Sequence, residues 1–395
     1  MITQVTLHEN KDLGSHDPLK FKNIQKIMPH CRVGLDIRML QNSGIGTYLR
    51  GLLGGLEALG LDRDLALFGP EPTETWPGRV FSAPIYSIRE QLRYPDLLRQ
   101  CRLWHAPHYN VPLRKGKTKL VVTIHDIIHW IFRKQFLSPL QTAYAGFMLK
   151  KAVTSSDQII AVSHHTKKDL IDHFRAPEQK ITVIHEAVDE TCRELAPAEL
   201  APAFEKIREK YKVPQDFFLY VGLIKPHKNV LMLLRLFRRL KEEGEVRASL
   251  VLIGRKDKAY PAGYEALASL SSTKDIFYLP SIESQELKVF YNQALALVHP
   301  SLYEGFGLTL LEAMGSGTPV LTTNSSSIPE VVGDAALRVD AADEIAMGNG
   351  LIRLDQEAPL RESLRLKGLE RVKLFSWRET ARKTAEVYER ALAEK

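Results

Sequence analysis

Short β-branched or aliphatic runs alternate with longer amphipathic stretches along all 395 residues. This is the pattern of βα units that build parallel sheets. One series predicts strands at 32–37, 65–68, 103–105, 120–124, 158–162 and 182–184, with helices such as 46–59 and 139–153 between them. A second series starts after Pro214, with strands at 217–221, 249–253, 276–279, 295–299, 319–322 and 337–339. The stretch 190–212 is rich in Ala, Pro and charge, and reads as a linker containing a short helix at 203–211. At the end of the chain Ala381, Ala385, Val387 and Leu392 are spaced to form one face of a helix over 380–393. The predicted fold class is α/β, with two Rossmann-like parallel-sheet domains. Loops at the carboxyl ends of both sets of strands face a central cleft.

Composition removes several classes. With 44% apolar and 26% charged residues the chain matches ordinary soluble proteins, which excludes collagen-like, disordered and disulfide-scaffold readings. No eighteen-residue apolar run predicts a membrane span, and the first thirty residues lack the apolar centre of a signal peptide. Cys31, Cys101 and Cys192 have no paired spacing, so neither a disulfide frame nor a zinc site is expected. The expected compartment is the cytoplasm.

Charge adds a hint. Residues 1–190 carry 25 Lys and Arg against 19 Asp and Glu, whereas 191–395 carry 29 against 28. Within 101–151 nine basic residues face a single acid, Asp126. They include Lys115, Lys117, Arg133, Lys134, Lys150 and Lys151, interleaved with Trp130, Phe132, Phe136, Tyr144 and Phe147. Such a surface suits anions or an anionic membrane, and a merely solvated face explains the same charge. No helix-turn-helix, RNP or zinc pattern accompanies the basic residues, so nucleic acid is not an expected partner.

The richest chemistry lies in 300–319. A strand ends at His299, a glycine-bearing loop follows, and a helix begins near Gly307 and runs through Met314. Unpaired amides and the dipole at a helix N-terminus favour phosphate, and Gly305 and Gly307 let backbone approach closely. Glu304 on the loop and Glu312 on the helix add acceptors for a hydroxyl-rich ligand. His125 directly follows the buried run 120–124, which places it at a strand's carboxyl end beside Asp126. Gly44 and Gly46 form a strand-to-helix turn that is weak evidence by itself.

The pair Glu304 and Glu312 in EGFGLTLLEAM, with SGIGTYLRGLL, VVTIHDIIH, AVSHHTKKDL, LYVGLIKPHKN and SSSIPEVVGDAAL in order, resembles the retaining glycosyltransferases of family four. The likeness runs from Arg32 to Tyr388 and is strongest to the mannosyltransferase-like branch. It implies the GT-B architecture, with an N-terminal acceptor domain at 31–190, a linker at 191–213 and a donor domain at 214–377. The helix 378–395 packs back on the first domain, and residues 1–30 form an extension outside the likeness. It further implies that Glu304 binds hydroxyls of the transferred sugar and that Glu312 binds the donor ribose. Lys228 meets the diphosphate, and His125 lies near the sugar. Gly44, Gly46, Gly305, Phe306, Gly307, Leu308 and Thr309 complete the donor site. The arginine common after the family's basic-loop glycine is Leu223 here, so Lys225 or His227 is a candidate replacement. The implied reaction moves a hexose, mannose from GDP-mannose in the first instance, to a glycan or lipid-linked acceptor, without a metal or other cofactor. UDP-sugar transfer and a non-catalytic sugar-nucleotide-binding role are the alternatives, and a peripheral position on the inner membrane face would fit the basic stretch.

Overall fold

The computed structural model describes residues 31–70, 78–189, 191–255, 267–269 and 274–394. The N-terminal extension and Glu190 of the linker lie outside them. Among the described residues thirteen strands form two sheets, parallel throughout. The first contains β1 (Cys31–Asp36), β2 (Leu65–Gly69), β3 (Gly78–Val80), β4 (Cys101–Ala106), β5 (Lys119–Ile124), β6 (Gln158–Ala161) and β7 (Ile181–Val183), in the order β3-β2-β1-β4-β5-β6-β7. The second contains β8 (Phe217–Val221), β9 (Ser249–Ile253), β10 (Ile276–Leu279), β11 (Ala296–His299), β12 (Val320–Thr323) and β13 (Leu337–Val339), in the order β10-β9-β8-β11-β12-β13. Helices cover both faces, so the central strands are buried on both sides and read as continuous apolar runs. In β5 every residue from Leu120 to Ile124 is buried.

Local chemistry sets the helix starts. Ser138 and Gln141 form a reciprocal capping box ahead of Pro139–Ser155, whose first residue is the proline that a helix start tolerates. The linker helix is longer than the predicted 203–211. It spans Pro197–Tyr211, with Pro197 in its first turn and Pro202 carried inside it. Phe204 and Ile207 turn inward and join the core beneath β8, and this burial offsets the hydrogen bond that Pro202 cannot make.

The helix Trp377–Ala393 returns to the first domain. Gly51 and Gly55, on the helix Ile45–Ala58, receive Trp377; a Cβ at Gly51 would lie 2.1 Å from the indole. Further along, Val387, Tyr388 and Ala391 enter the core with Val33, Leu103 and Val121. The Tyr388 hydroxyl meets His105 Nδ1 at 2.7 Å, and His105 Nε2 meets Thr123 Oγ1 at 2.8 Å. A chain segment beyond the second sheet therefore completes the first domain and holds the two domains as neighbours across the cleft.

Candidate active site

β11 ends at His299, and the loop that follows reaches the helix Leu308–Gly315 at Gly307. Gly307 takes φ +111°, a left-handed conformation that suits glycine, and no side chain caps the helix there. Within the first turn the Leu310 amide donates to the Gly307 carbonyl at 3.0 Å, whereas the amides of Leu308 and Thr309 have no partner within a helix and are open to a ligand. The loop is clamped from both domains. Ser326 Oγ accepts from the Glu304 amide at 2.7 Å, and the Ser327 hydroxyl donates to the carbonyls of Glu304 and Phe306. From the first domain, Ser163 Oγ donates to the Gly305 carbonyl at 2.7 Å and Thr166 Oγ1 does so at 3.3 Å. Gly305 lies so close to β5's end that a Cβ would fall 2.0 Å from the His125 carbonyl oxygen. A cavity of about 320 Å³ results, lined by Gly44, His125, Lys228, Glu304 and the backbone from Gly305 to Thr309.

Glu304 is the electrostatic centre. Lys228 Nζ donates to both carboxylate oxygens, at 2.6 and 2.8 Å, and His299 Nε2 lies 2.8 Å from Oε1. Burial alone would raise this carboxyl's pKa; Lys228, and then His299, outweigh that and hold it well below the usual carboxylate range. Glu304 is thus ionised at any working pH. Glu312 has the opposite environment. Burial raises its pKa, the hydrogen bond from the Tyr291 hydroxyl at 2.8 Å offsets part of that, and Asp189 adds to the rise.

His125 lines the cavity, but both ring nitrogens are engaged. Nδ1 meets Glu186 at 2.7 Å and Nε2 meets the Pro107 carbonyl at 3.1 Å. A carbonyl oxygen only accepts, so Nε2 carries a proton and has no lone pair with which to act as a base. Gly46 stands behind the cavity wall, where a Cβ would meet the Leu40 carbonyl at 2.5 Å. Sequence reasoning missed His299, Glu186, Tyr291, Ser163 and Ser326. Position at or just past a strand's carboxyl end is the signal for four of them, since His299 closes β11 and Ser163, Glu186 and Ser326 follow β6, β7 and β12 within three residues.

Two expectations change. His227 does not replace the missing arginine, because its ring is buried against Phe132 and Phe136 and its pKa is pushed down to about 3, by burial first and by Lys228 next. Lys225 places its ammonium 5.9 Å from the centre of the Phe136 ring. Nor is the basic stretch one surface. Lys115 and Lys117 precede β5, at the sheet's amino end, where Lys115 pairs with Asp157. Lys150 and Lys151 lie toward the same end, on the last part of Pro139–Ser155, and Lys150 Nζ donates to the Phe174 carbonyl at 3.0 Å. Only Arg133 and Lys134 follow β5 at the cleft end, flanking a groove with Trp130 and Phe147.

The buried histidines predict a pH effect. His105, like His227, is pushed down to about 3, mainly by burial. Unfolded histidine titrates near 6.5, so the unfolded chain binds more protons below that pH. The stability these neutral rings contribute is complete above pH 6.5 and is lost as pH falls toward 3. Denaturant titrations at pH 7.5 and 5.5 should differ by about 1.4 kcal/mol for each ring.

Comparison with known proteins agrees with this geometry. Residues 203–371 match the family model described as glycosyl transferases group 1, and residues 42–191 match that of glycosyltransferase family 4. The chain is 31% identical over 287 residues to O-antigen chain mannosyltransferase B of Escherichia coli, covering 72% of this chain and 74% of that protein. It is 28% identical to O-antigen chain mannosyltransferase RfbU of Salmonella typhimurium, over 69% of this chain and 70% of that one. A glycosyltransferase structure from Rickettsia africae superposes with a TM-score of 0.71 at 18% identity, covering 93% of this chain and all of that one. A glycine-bearing loop between two parallel-sheet domains, a lysine-carboxylate pair beside an open helix start and these matches converge: the chain belongs to glycosyltransferase family 4 and has the GT-B fold.

Proposed function

We propose that the protein transfers mannose from GDP-mannose, with retention of anomeric configuration, to a hydroxyl of a glycan or lipid-linked acceptor in surface polysaccharide synthesis. The observation that carries this reading is the Lys228 and Glu304 pair beside the uncapped start of Leu308–Gly315. In it, the amides from Gly305 to Thr309 and the Lys228 ammonium take the diphosphate and stabilise charge on the departing nucleotide. Glu304, kept ionised, accepts from hydroxyls of the sugar, and Glu312 from those of the ribose. His125 gives up its longer bond, to Pro107, for one to the sugar or acceptor. The leaving phosphate itself receives the acceptor's proton, on the face from which the acceptor attacks, so the reaction needs no separate base. Lys228 and the helix amides supply the positive field, and the reading includes no metal. Mannose and a polysaccharide acceptor rest on the names of the two mannosyltransferase relatives.

Thermal unfolding with GDP, UDP, dTDP and ADP tests the donor. At a hundredfold excess over Kd a bound nucleotide adds about 2.7 kcal/mol. GDP should stabilise most, with or without magnesium, and Glu312→Ala should remove the shift. A larger shift with UDP would transfer the reading to UDP-sugars. Tight binding without turnover on any acceptor would favour the non-catalytic role, which the neutral His227 and the exposed Leu223 at the arginine position also fit.

For the membrane, exposed apolar groups indicate a face other than the paired lysines. Leu140, Tyr144 and Phe147 stand at i, i+4 and i+7 on one helix, and Ile88 and Leu92 are exposed on the helix Ile88–Leu98. The Tyr86 and Tyr144 rings meet edge to face at 6.1 Å, which joins the two stripes. Exposed Arg89, Arg93 and Lys134 lie among them. An apolar stripe flanked by cations suits an anionic bilayer. Sedimentation with anionic phospholipid vesicles should fall about tenfold in Leu140→Ser/Phe147→Ser and stay unchanged in Lys150→Ala/Lys151→Ala. Unchanged sedimentation of the first variant would discard this face.

A further inference from the structure

We propose that His164, His185 and Glu330 form a binding site for a divalent cation of the zinc class, bridging the two domains. His164 opens the helix His164–Phe174 after β6, and His185 follows β7, both in the first domain. Glu330 comes from the second, on the short helix Ile328–Val332. One ligand atom from each side chain lies within 4.8 Å of the others. Tetrahedral zinc holds nitrogen and oxygen ligands at about 2.0–2.2 Å, so modest side-chain rotation closes this triangle around an ion. Two imidazoles and a carboxylate, with water in the fourth position, are a ligand set that favours zinc, cobalt or nickel over magnesium.

The surroundings already orient the ligands. The His164 backbone amide donates to both oxygens of Glu330, at 2.9 and 3.0 Å, fixing the carboxylate plane. His185 Nε2 lies 2.6 Å from Oε1, so the two share a proton, and a bound ion takes its place and releases it to solvent. Arg371 is turned to the carbonyls of Glu330 and Val331 rather than to the carboxylate. The His185 ring stacks on Phe306 with centroids 5.7 Å apart, and Phe375 lies at the same distance. Phe306 also lines the donor cavity. An ion here ties the first domain to the second beside the donor loop and remains outside the reacting cavity.

Cobalt is the probe. Added to the full chain at pH 7.5, cobalt chloride should give the visible bands of a four-coordinate ion, and zinc chloride should displace them. Zinc should also raise the unfolding midpoint by about 2–4 °C, whereas magnesium should leave it unchanged. His164 is exposed, so His164→Ala keeps the fold and should abolish both signals. Glu330→Gln, which can still accept from the His164 amide, should weaken zinc binding at least tenfold. Absence of cobalt bands in the wild-type protein, or bands that persist in His164→Ala, would overturn the proposal.

Discussion

Glu304→Gln should lower transfer about a thousandfold, comparable with removing a key transition-state contact in other enzymes, while nucleoside diphosphate binding stays within a fewfold of wild type. The amide has the size of the carboxylate but no charge. It is a poorer acceptor for sugar hydroxyls, and it no longer balances Lys228 and His299, which meet the same carboxylate. Lys228 is then free of its strongest competitor for the diphosphate, so GDP binding does not suffer. Removing the proposed donor-ribose partner should give the opposite pattern: Glu312→Ala should raise KM and weaken GDP. Parallel measurements of kcat, KM and GDP affinity check the contrast. Loss of nucleotide binding in Glu304→Gln, with kcat preserved, would reverse the two roles.

The second large effect is expected from one methyl group. In Gly305→Ala the new Cβ would lie 2.0 Å from the His125 carbonyl oxygen and 2.8 Å from Asp126 Cβ. The first of these neighbours is backbone at the end of a buried strand and cannot yield. The loop must retreat instead, breaking the bonds from Ser163 and Thr166 to the Gly305 carbonyl and drawing Glu304 away from its position. A displacement of about 1 Å in a catalytic constellation costs on the order of a hundredfold in rate, so kcat/KM should fall at least that much. Both sheets lie outside the contact, so circular dichroism should keep its native shape. Wild-type activity in this variant would mean that the two domains do not approach each other here during turnover.

Much of this was legible in the sequence, for definite reasons. Strands buried on both faces give unbroken apolar runs, so twelve of the thirteen among the described residues could be read directly; β3 escaped because Val80 is the one strongly apolar residue in Gly78–Val80, whereas β7 and β13, edge strands of the same length, each carry two aliphatic residues. The loop glycines, Glu304 and Glu312 share one short segment, and their chemistry was readable there. The ion pair of Glu304 with Lys228 joins residues 76 apart. That separation hides it from any local pattern, as it hides the pairing of His125 with Glu186 across β5 and β7. The basic stretch misled because sequence neighbours are not surface neighbours in a βα unit. Lys117 and Arg133 flank a six-residue strand about 20 Å long and emerge at its opposite ends. A neutral histidine at position 227 likewise becomes evident only once Phe132 and Phe136 of the other domain are seen to cover it.

The most direct measurement is transfer of labelled mannose from GDP-α-mannose to lipid-linked glycan, with the anomeric configuration of the new linkage read by NMR and Glu304→Gln assayed beside wild type. The expected product is an α linkage, formed without added metal and nearly absent in the variant. A β linkage, or transfer that survives in Glu304→Gln, would contradict it.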